Sequence, residues 1–275
     1  KMADFYIKLM QWTQKSKILP MNSGAEAVET AIKAARRWGY RVKGITEEQA
    51  EIIVCEQNFH GRTITVTSFS SNDTSRADFG PFTPGFRFVP HGNLEQLERA
   101  ITANTAAFLV EPIQGEAGVI IPPAGYLRAA HDICRRHNVL FIADEIQTGL
   151  CRTGKRFACD WEDVVPDMYI LGKALGGGVI PVSAIAADDD ILGLFDPGSH
   201  GSTFGGNPLA CAVASASLDV LEQERLAERA EEKGRRFLHF LQSLQSSKIK
   251  SVRGRGLLVA LDLHEPARAV CEELA

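Results

Sequence analysis

Lys173 is the residue whose sequence context points most directly to chemistry. It follows the apolar run at residues 168–171 and precedes the three glycines at 176–178. An apolar run that ends in a lysine and opens into glycines predicts a strand whose end presents one amine where backbone can approach closely. Such an amine can form a covalent bond with a carbonyl carbon. A surface lysine that happens to follow a strand is the alternative, and Lys173 alone does not decide between the two.

Asp144 ends a second apolar run, at residues 139–143. A buried carboxylate beside a cation stays ionised, because the opposite charge favours its charged form. A lysine that bonds an aldehyde and an aspartate that holds a protonated pyridine nitrogen are the groups that pyridoxal 5'-phosphate (PLP) requires of a protein. An aspartate that caps a turn after a strand is the alternative.

Six motifs rich in polar and small residues occur in order along the chain. They span residues 22–27, 58–63, 111–116, 143–149, 171–178 and 200–208. In this order they resemble the class III, or ω-amino acid, aminotransferases, which are PLP enzymes of fold type I. The resemblance extends from about Lys17 to the C-terminus and therefore has implications for the whole site.

The resemblance implies which groups hold the phosphate of the cofactor. Ser23 and Glu26 have the spacing of a capping box, with Ser23 at the N-cap of a helix. Helix N-termini offer free N–H groups and a favourable dipole to an anion. The resemblance assigns the phosphate to the backbone of Gly24 and Ala25, and an ordinary capped helix is the alternative.

Ser202 and Thr203 are expected, by the same resemblance, to reach the phosphate from a neighbouring subunit. The chain would then be a homodimer or a higher homo-oligomer, because each cofactor needs residues of two subunits. Without the resemblance, this segment would be interpreted as a loop.

The ring and aldehyde of the cofactor have further partners in the family. By resemblance, Phe59 stacks on the ring, since an aromatic face packs well against a flat heterocycle. Asp144 pairs with the ring nitrogen, and Gln147 donates to the phenolic oxygen. Lys173 holds the cofactor covalently and later moves a proton between substrate and cofactor carbon atoms. That role requires a neutral amine, which burial and a nearby cation favour by lowering the pKa of a lysine.

Three charged residues are assigned to substrate recognition and its support. Arg62 would bind the α-carboxylate of the 2-oxo acid and glutamate pair, because a guanidinium matches a carboxylate with two hydrogen bonds. An exposed loop arginine is the alternative. In the family, the residue at Glu116 pairs with an arginine beyond the end of this sequence when the amino donor binds, and releases it when glutamate binds. Glu111 is expected to support the site without touching substrate.

Within the family, residues 114–118, 144–149 and 172–175 favour one amino donor. By resemblance, they imply transfer of the δ-amino group of L-ornithine to 2-oxoglutarate. The products would be glutamate and glutamate semialdehyde, which cyclises to pyrroline-5-carboxylate. N-acetylornithine and other ω-amino acids remain alternative donors, and relatives that use N-acetylornithine tend to carry glycine in place of Ala117.

A function from another class is a catalytically silent relative that acts through binding or assembly. The intact set of Lys173, Asp144 and Gln147 argues against it. His60 stands where some relatives carry tryptophan, which leaves fine contacts with the substrate open.

The composition points to a large globular protein and against several other classes. Of the 275 residues, 45% are hydrophobic and 23% are charged, which supports one large domain and part of another. A net charge of −4 gives no basic surface for nucleic acid, and no apolar stretch is long enough to span a membrane.

The six cysteines include no CxxC pair, which predicts reduced thiols in a cytoplasmic protein. His131, Cys134 and His137 span too wide an arc of a predicted helix to bind a metal, so we predict no metal site.

Short apolar runs alternate with helical patterns along the chain. Buried strands are predicted at residues 50–55, 106–110, 139–143, 168–171 and 182–187, and helices at residues 25–40, 94–100 and 126–137. The alternation predicts an α/β fold with a mostly parallel sheet flanked by helices. The resemblance implies the PLP-dependent transferase fold type I, with a partial C-terminal α+β domain. Ligands of such sheets bind at the carboxyl ends of strands, where Asp144 and Lys173 fall.

Two domains are expected. Residues 1–222 would form the large PLP-binding domain, and residues 223–275 the start of a smaller C-terminal domain. The boundary lies between an Ala-rich and Ser-rich helix and a charged helix, after which residues 257–263 predict a strand. Residues 1–5 and 267–275 both have a helical texture, so we expect the sequence to be truncated at both ends.

Overall fold

The computed structural model describes residues 2–274, and a seven-stranded sheet lies at its centre. The strands are β1 (Lys17–Met21), β2 (Glu51–Cys55), β3 (Phe86–Val89), β4 (Thr105–Val110), β5 (Leu140–Asp144), β6 (Met168–Leu171) and β7 (Ser183–Ala187). Their spatial order is β1-β7-β6-β5-β4-β2-β3. Strand β7 runs antiparallel to both of its neighbours, and the other neighbouring pairs are parallel. The prediction of a mostly parallel sheet is confirmed.

Helices connect the strands and cover the sheet. They are α1 (Met2–Thr13), α2 (Gly24–Trp38), α3 (Ile64–Ser68), α4 (Asp73–Arg76), α5 (Leu94–Ala100), α6 (Tyr126–Arg136), α7 (Asp189–Leu192), α8 (Pro208–Gln223), α9 (Leu226–Ser243) and α10 (Arg268–Leu274). Helix α2 ends earlier than predicted, because a π-helical turn, Gly39–Lys43, takes over at its C-terminus.

The central strands are buried on both faces, which explains why their sequences are continuous apolar runs. In β2, Ile52 and Val54 pack into the cluster that includes α2, whereas Ile53 and Cys55 pack into the cluster on the opposite face. Side chains alternate between the faces of a strand, so one run supplies both clusters. Burial on both faces fixes the position of each strand end, and therefore of the residues that follow it.

A separate hairpin lies outside the main sheet. It consists of β8 (Ile249–Arg255) and β9 (Leu258–Leu263), which pair antiparallel. Strand β9 was predicted from residue 257 onward, whereas β8 was not predicted. The domain boundary near Glu222 stays a prediction; the helix α8 ends at Gln223 and α9 begins at Leu226.

The helices of residues 2–274 give no sign of a membrane segment, since none is both long and apolar enough to cross a bilayer. All six cysteines are free thiols, and Cys271 is the one that is exposed.

Candidate active site

The candidate site lies at the carboxyl edge of the sheet, where three neighbouring parallel strands end. Glu111 directly follows β4, Asp144 is the last residue of β5, and Lys173 follows β6 with Gly172 between them. Strand β5 pairs in parallel with both β4 and β6. The three side chains therefore start from adjacent positions along the edge at which parallel sheets bind ligands.

A cavity of about 190 Å³ opens at this edge. All predicted cofactor residues except those assigned to a neighbouring subunit line it, namely Gly24, Ala25, Phe59, Asp144, Gln147 and Lys173. Glu111 and Glu116 also lie on its wall. Residues that are far apart in the sequence therefore meet in one place.

Lys173 occupies a strained position between two cavities. Its φ of 41° lies in the left-handed region, which is uncommon for a residue with a side chain, and it begins a short 3₁₀ turn, Lys173–Gly176. It also borders a larger cavity of about 920 Å³. The side chain is exposed, whereas the sequence favoured a buried lysine. Within residues 2–274 the amine forms no hydrogen bond or ion pair, which leaves it available to a ligand.

Asp144 is buried and both of its oxygens are engaged. Its Oδ2 lies 2.6 Å from Nδ1 of His60, and its Oδ1 accepts a hydrogen bond from the backbone N–H of Ile146 at 3.1 Å. Burial lowers the pKa of His60. The hydrogen bond and charge of Asp144, together with the charge of Glu111, raise this pKa by a larger amount, so it lies above its usual value. His60 is therefore the partner of Asp144.

Glu111 links two segments of the cavity wall. Its Oε2 accepts from the backbone N–H of Phe59 at 2.9 Å, and its Oε1 accepts from that of Gly115 at 3.3 Å. Burial is the main cause that raises the pKa of Glu111 to about 7. These contacts are those expected of a residue that supports the site from behind, although its functional role stays a prediction.

The start of α2 presents unused hydrogen-bond donors to the cavity. The predicted capping box is present: Ser23 Oγ accepts from the N–H of Glu26 at 3.3 Å, and Glu26 Oε2 accepts from the N–H of Ser23 at 2.6 Å. The carbonyl of Ser23 accepts from Ala27. No hydrogen bond within residues 2–274 uses the N–H groups of Gly24 and Ala25. The cavity thus contains a helix N-terminus that can bind an anion.

Comparison with known proteins decides the family. The whole chain, residues 1–275, matches the family Aminotransferase class-III. The chain belongs to the class III aminotransferases. Among its relatives, the ornithine aminotransferase of Halalkalibacterium halodurans is 64% identical over 274 residues, which cover 100% of this chain and 69% of that protein.

Solved structures of class III aminotransferases share the fold of this chain. The ornithine aminotransferase of Toxoplasma gondii superposes with a TM-score of 0.94 at 48% sequence identity, over 98% of this chain. An acetylornithine aminotransferase of Elizabethkingia anophelis gives a TM-score of 0.88 at 52% identity, over 98% of this chain and 68% of its own. The predicted PLP-dependent aminotransferase fold is confirmed. The chain spans 64% of the length of the Toxoplasma enzyme.

Class III aminotransferases use PLP, and the groups in the cavity fit that cofactor. The free N–H groups of Gly24 and Ala25 suit a phosphate, the buried carboxylate of Asp144 suits a protonated ring nitrogen, and Phe59 offers an aromatic face. The unpaired amine of Lys173 suits an aldehyde. The phosphate, the ring nitrogen, the ring face and the aldehyde of PLP therefore each have a complementary group on the cavity wall.

Gln147 and the loop that carries Glu116 form one side of this aminotransferase cavity. Nε2 of Gln147 lies 3.5 Å from Oε1 of Glu116. A Cβ atom at Gly115 would lie 1.4 Å from Oε1 of Gln147, so a side chain at this position would displace the amide of Gln147. Glu116 itself is exposed at the mouth of the cavity.

Three predicted residues lie outside the Lys173 cavity of their own chain. Arg62 is exposed, its guanidinium lies over the Phe59 ring at 5.5 Å from the centroid, and it borders a neighbouring cavity of about 400 Å³. Ser202 and Thr203 border a third cavity, of about 550 Å³, next to the N-terminus of α2. There, Ser202 Oγ accepts from Nδ2 of Asn22 at 3.0 Å. The binding roles of these three residues stay predictions.

Glu145 has a structural role that sequence reasoning did not identify. It is fully buried and accepts hydrogen bonds from the Thr148 hydroxyl at 2.5 Å and from the backbone N–H groups of Ala158 and Cys159 at 3.0 and 2.9 Å. Burial raises its pKa to about 7. Glu145 thus fastens the turn that carries Gln147 to the segment behind it. The only available signal was its place beside Asp144.

The residues considered as metal ligands have other contacts. His131 packs edge-on against Phe141 with 5.6 Å between ring centroids, and Nε2 of His137 lies 3.2 Å from Oε1 of Glu98. Within the described part of the chain, no group of three or more His, Cys, Asp or Glu side chains is arranged to hold a metal ion.

Proposed function

We propose that this chain forms the cofactor-binding part of an aminotransferase that moves the δ-amino group of L-ornithine to 2-oxoglutarate with the help of PLP. The products are glutamate and glutamate semialdehyde, which cyclises to pyrroline-5-carboxylate. The observation that carries the proposal is the meeting of Lys173, Asp144, Gln147 and a free helix N-terminus on one cavity. The identity of 64% to an ornithine aminotransferase supports the choice of donor.

The residues of this chain divide the work among binding, orientation and proton movement. When bound, PLP supplies a ring that draws off the negative charge left when a substrate carbon loses a proton. The N–H groups of Gly24 and Ala25 hold the phosphate, and Phe59 covers one face of the ring. Asp144 keeps the ring nitrogen protonated, and His60 orients Asp144 through the 2.6 Å contact.

Lys173 has two roles in the proposal. Its amine would hold the cofactor covalently between turnovers, and it would be free to act as a base once a substrate is bound. Lys173 would then act as the base that removes a proton from the substrate carbon and delivers it to a carbon atom of the cofactor. Gln147 donates to the phenolic oxygen. Its amide is held on the wall by the turn that Glu145 fastens.

The remaining residues are proposed to complete the site when substrates and a second subunit are present. Arg62 binds the α-carboxylate of the 2-oxo acid and of glutamate, and Glu116 meets the donor at the cavity mouth. Ser202 and Thr203 reach the phosphate of the partner subunit, so we propose a homodimer or a higher homo-oligomer. Six free thiols support a cytoplasmic location.

N-acetylornithine is the second candidate donor, because the Elizabethkingia acetylornithine aminotransferase is 52% identical to this chain. Its acetylated α-amine carries no positive charge, whereas ornithine presents two amines. Glu116 at the cavity mouth favours the donor with the additional positive charge, since opposite charges attract.

Steady-state kinetics with L-ornithine, N-acetyl-L-ornithine and 4-aminobutyrate test the proposal, with 2-oxoglutarate as the acceptor. We expect kcat/KM to be highest for ornithine by at least about tenfold, the ratio set by one charge-assisted contact. A higher kcat/KM for N-acetylornithine would mean that N-acetylornithine, and not ornithine, is the amino donor. Absence of transamination, with PLP bound, would support the catalytically silent alternative.

A further inference from the structure

The loop that carries Glu116 is a closed turn with an unfavourable backbone. Gln114 and Ile120 exchange two backbone hydrogen bonds, of 3.1 and 2.8 Å, which close its base. Towards its C-terminal end, Gly118 has a φ of 105° and Val119 a φ of 56°. A β-branched residue rarely adopts a left-handed backbone. Such a conformation persists only where the surroundings impose it, so something outside the loop must hold it.

Arg253 of β8 is in contact with this strained end. Its Nε donates to the carbonyl of Gly118 at 2.8 Å and to that of Val119 at 3.1 Å, and its Nη2 donates to the Gly118 carbonyl as well. The guanidinium is planar and presents its donors in a fixed fork. It can therefore hold two successive carbonyls in one orientation, whereas a lysine ammonium is a single point of attachment.

The other side of the Arg253 guanidinium is fixed by the hairpin itself. Its Nη1 donates to Oδ2 of Asp262 at 2.6 Å and to Oγ of Ser251 at 2.9 Å. Asp262 lies on β9, so both strands of the hairpin orient this side chain. The loop is held from the opposite side by Glu111, which accepts from the N–H of Gly115. The Glu116 loop is thus fastened at one end to the main sheet and at the other end to the hairpin.

We propose that Arg253, oriented by Asp262, is a positioning residue that holds Glu116 at the wall of the cavity and thereby sets how well the amino donor is selected. The kinetic part of this inference rests on the proposed function. Arg253 acts through the carbonyls of Gly118 and Val119, not through substrate. Loss of Arg253 therefore changes how the donor meets Glu116 and leaves the bond between Lys173 and the cofactor in place.

The test compares Arg253→Lys with Arg255→Lys. Arg255 lies on the same strand, and its guanidinium is over the Trp161 ring, 5.1 Å from the centroid, away from the loop. It is therefore a matched control for loss of a guanidinium from β8. Asp262→Asn is a second variant, which keeps Arg253 but removes the carboxylate that orients it. Asp262→Asn tests the same role of Arg253 in the event that Arg253→Lys does not fold.

Two measurements are made on the PLP-bound protein. The first is hydrogen exchange at the amides of Gly118 and Val119, both of which donate to the Gly115 carbonyl at 3.0 Å. We expect exchange to accelerate by about tenfold or more in Arg253→Lys, as for loss of a charge-assisted hydrogen bond. The second is KM, which should rise by about tenfold for the donor and change less for 2-oxoglutarate, with kcat nearly constant.

The outcomes separate this inference from the proposed function. Faster exchange together with a selective rise in donor KM, neither of which occurs in Arg255→Lys, supports the inference. Unchanged exchange, or faster exchange with equal effects on both substrates, overturns it. If the wild-type protein prefers a donor other than ornithine, the proposed function fails, and the same two measurements with the preferred donor still decide the role of Arg253.

Discussion

The two sides of the cavity differ in how firmly their side chains are held before a ligand binds. On the sheet side, Asp144 and His60 are buried and joined by a 2.6 Å contact. On the open side, Lys173 and Glu116 are exposed. Buried and hydrogen-bonded groups are positioned before a ligand arrives, whereas exposed side chains take their final positions from what binds to them.

This difference predicts two kinds of variant. Changes on the sheet side should slow the reaction with every substrate alike, because they alter the cofactor that all substrates share. Changes to Glu116 on the open side should separate one substrate from another, whereas loss of Lys173 should affect every substrate.

The largest effect is expected on the sheet side, from Asp144→Asn. An amide cannot stabilise a protonated ring nitrogen as a carboxylate does, so single-turnover rates should fall by about a hundredfold to a thousandfold, equally with ornithine and with glutamate. Asp167→Asn is the control, because that carboxylate accepts from the N–H of Phe141 at 2.7 Å at the opposite edge of the sheet. Turnover near that of the wild type in Asp144→Asn would mean that Asp144 is only a cap.

An intermediate effect is expected from Thr203→Ala, which should weaken PLP binding by about tenfold or more, since it removes a hydrogen bond to a charged phosphate. Because Thr203 is proposed to act in the partner subunit, mixing this variant with Lys173→Ala should restore activity. One site in each mixed dimer then has both residues intact. The measurement is activity of the mixture against each variant alone. No recovery while labelled subunits demonstrably exchange would argue against a shared site.

A smaller and selective effect is expected from Glu116→Ala. The half-reaction with ornithine should slow by about tenfold, as for loss of one charge-assisted contact, and that with glutamate should be unchanged or faster, because a carboxylate near the negatively charged substrate is removed. Single-turnover rates for both half-reactions measure this, with Glu116→Gln as a variant that keeps the size of the side chain. Equal losses, or a larger loss with glutamate, would show that Glu116 is structural.

The smallest effect concerns the pH dependence of stability. The pKa of His60 is raised above its usual value in the folded protein. Its contact with Asp144 therefore contributes fully below pH of about 6.5 and is lost as the pH rises through the folded pKa. His60→Asn should lower the free energy of unfolding by about 2 kcal/mol at low pH, and by less at pH of about 9.

His91 provides a control of opposite sign. Burial lowers the pKa of His91 to about 4. The wild-type protein therefore loses stability as the pH falls below the pKa that His91 has in the unfolded chain. Denaturant titrations of the His60→Asn and His91→Asn variants between pH of about 5.5 and 9 should therefore diverge in opposite directions. Parallel curves would mean that His60 is neutral in the folded protein.

The ends of the central strands could be predicted because burial on both faces leaves a clear apolar run. This is how the positions of Asp144 and Lys173 were found. The edge strands could not be predicted in this way. Strand β1 contains Pro20, which disfavours a strand in the sheet interior but is tolerated at its edge. Strand β3 buries one of its four residues, Val89, so its apolar signal is weak.

The pairing of His60 with Asp144 had no signal in the sequence, because it depends on how β2 and β5 are placed on either side of β4. The same holds for Arg253, whose partners Gly118 and Val119 lie in a different part of the chain. Exposure of Lys173 was missed for a related reason. A sequence pattern shows that a strand ends at this residue, but not how much chain covers the side chain that follows.

We propose Lys173 as the residue that bonds the cofactor at the carboxyl edge of the sheet. Borohydride reduction of the PLP-bound protein, followed by peptide mapping, tests it most directly, because reduction makes the bond between the lysine and PLP permanent. We predict a pyridoxyl label on Lys173 in the wild-type protein, and no specific label in a folded Lys173→Ala variant that no longer transaminates. A label on any other lysine, or activity in the variant, would contradict it.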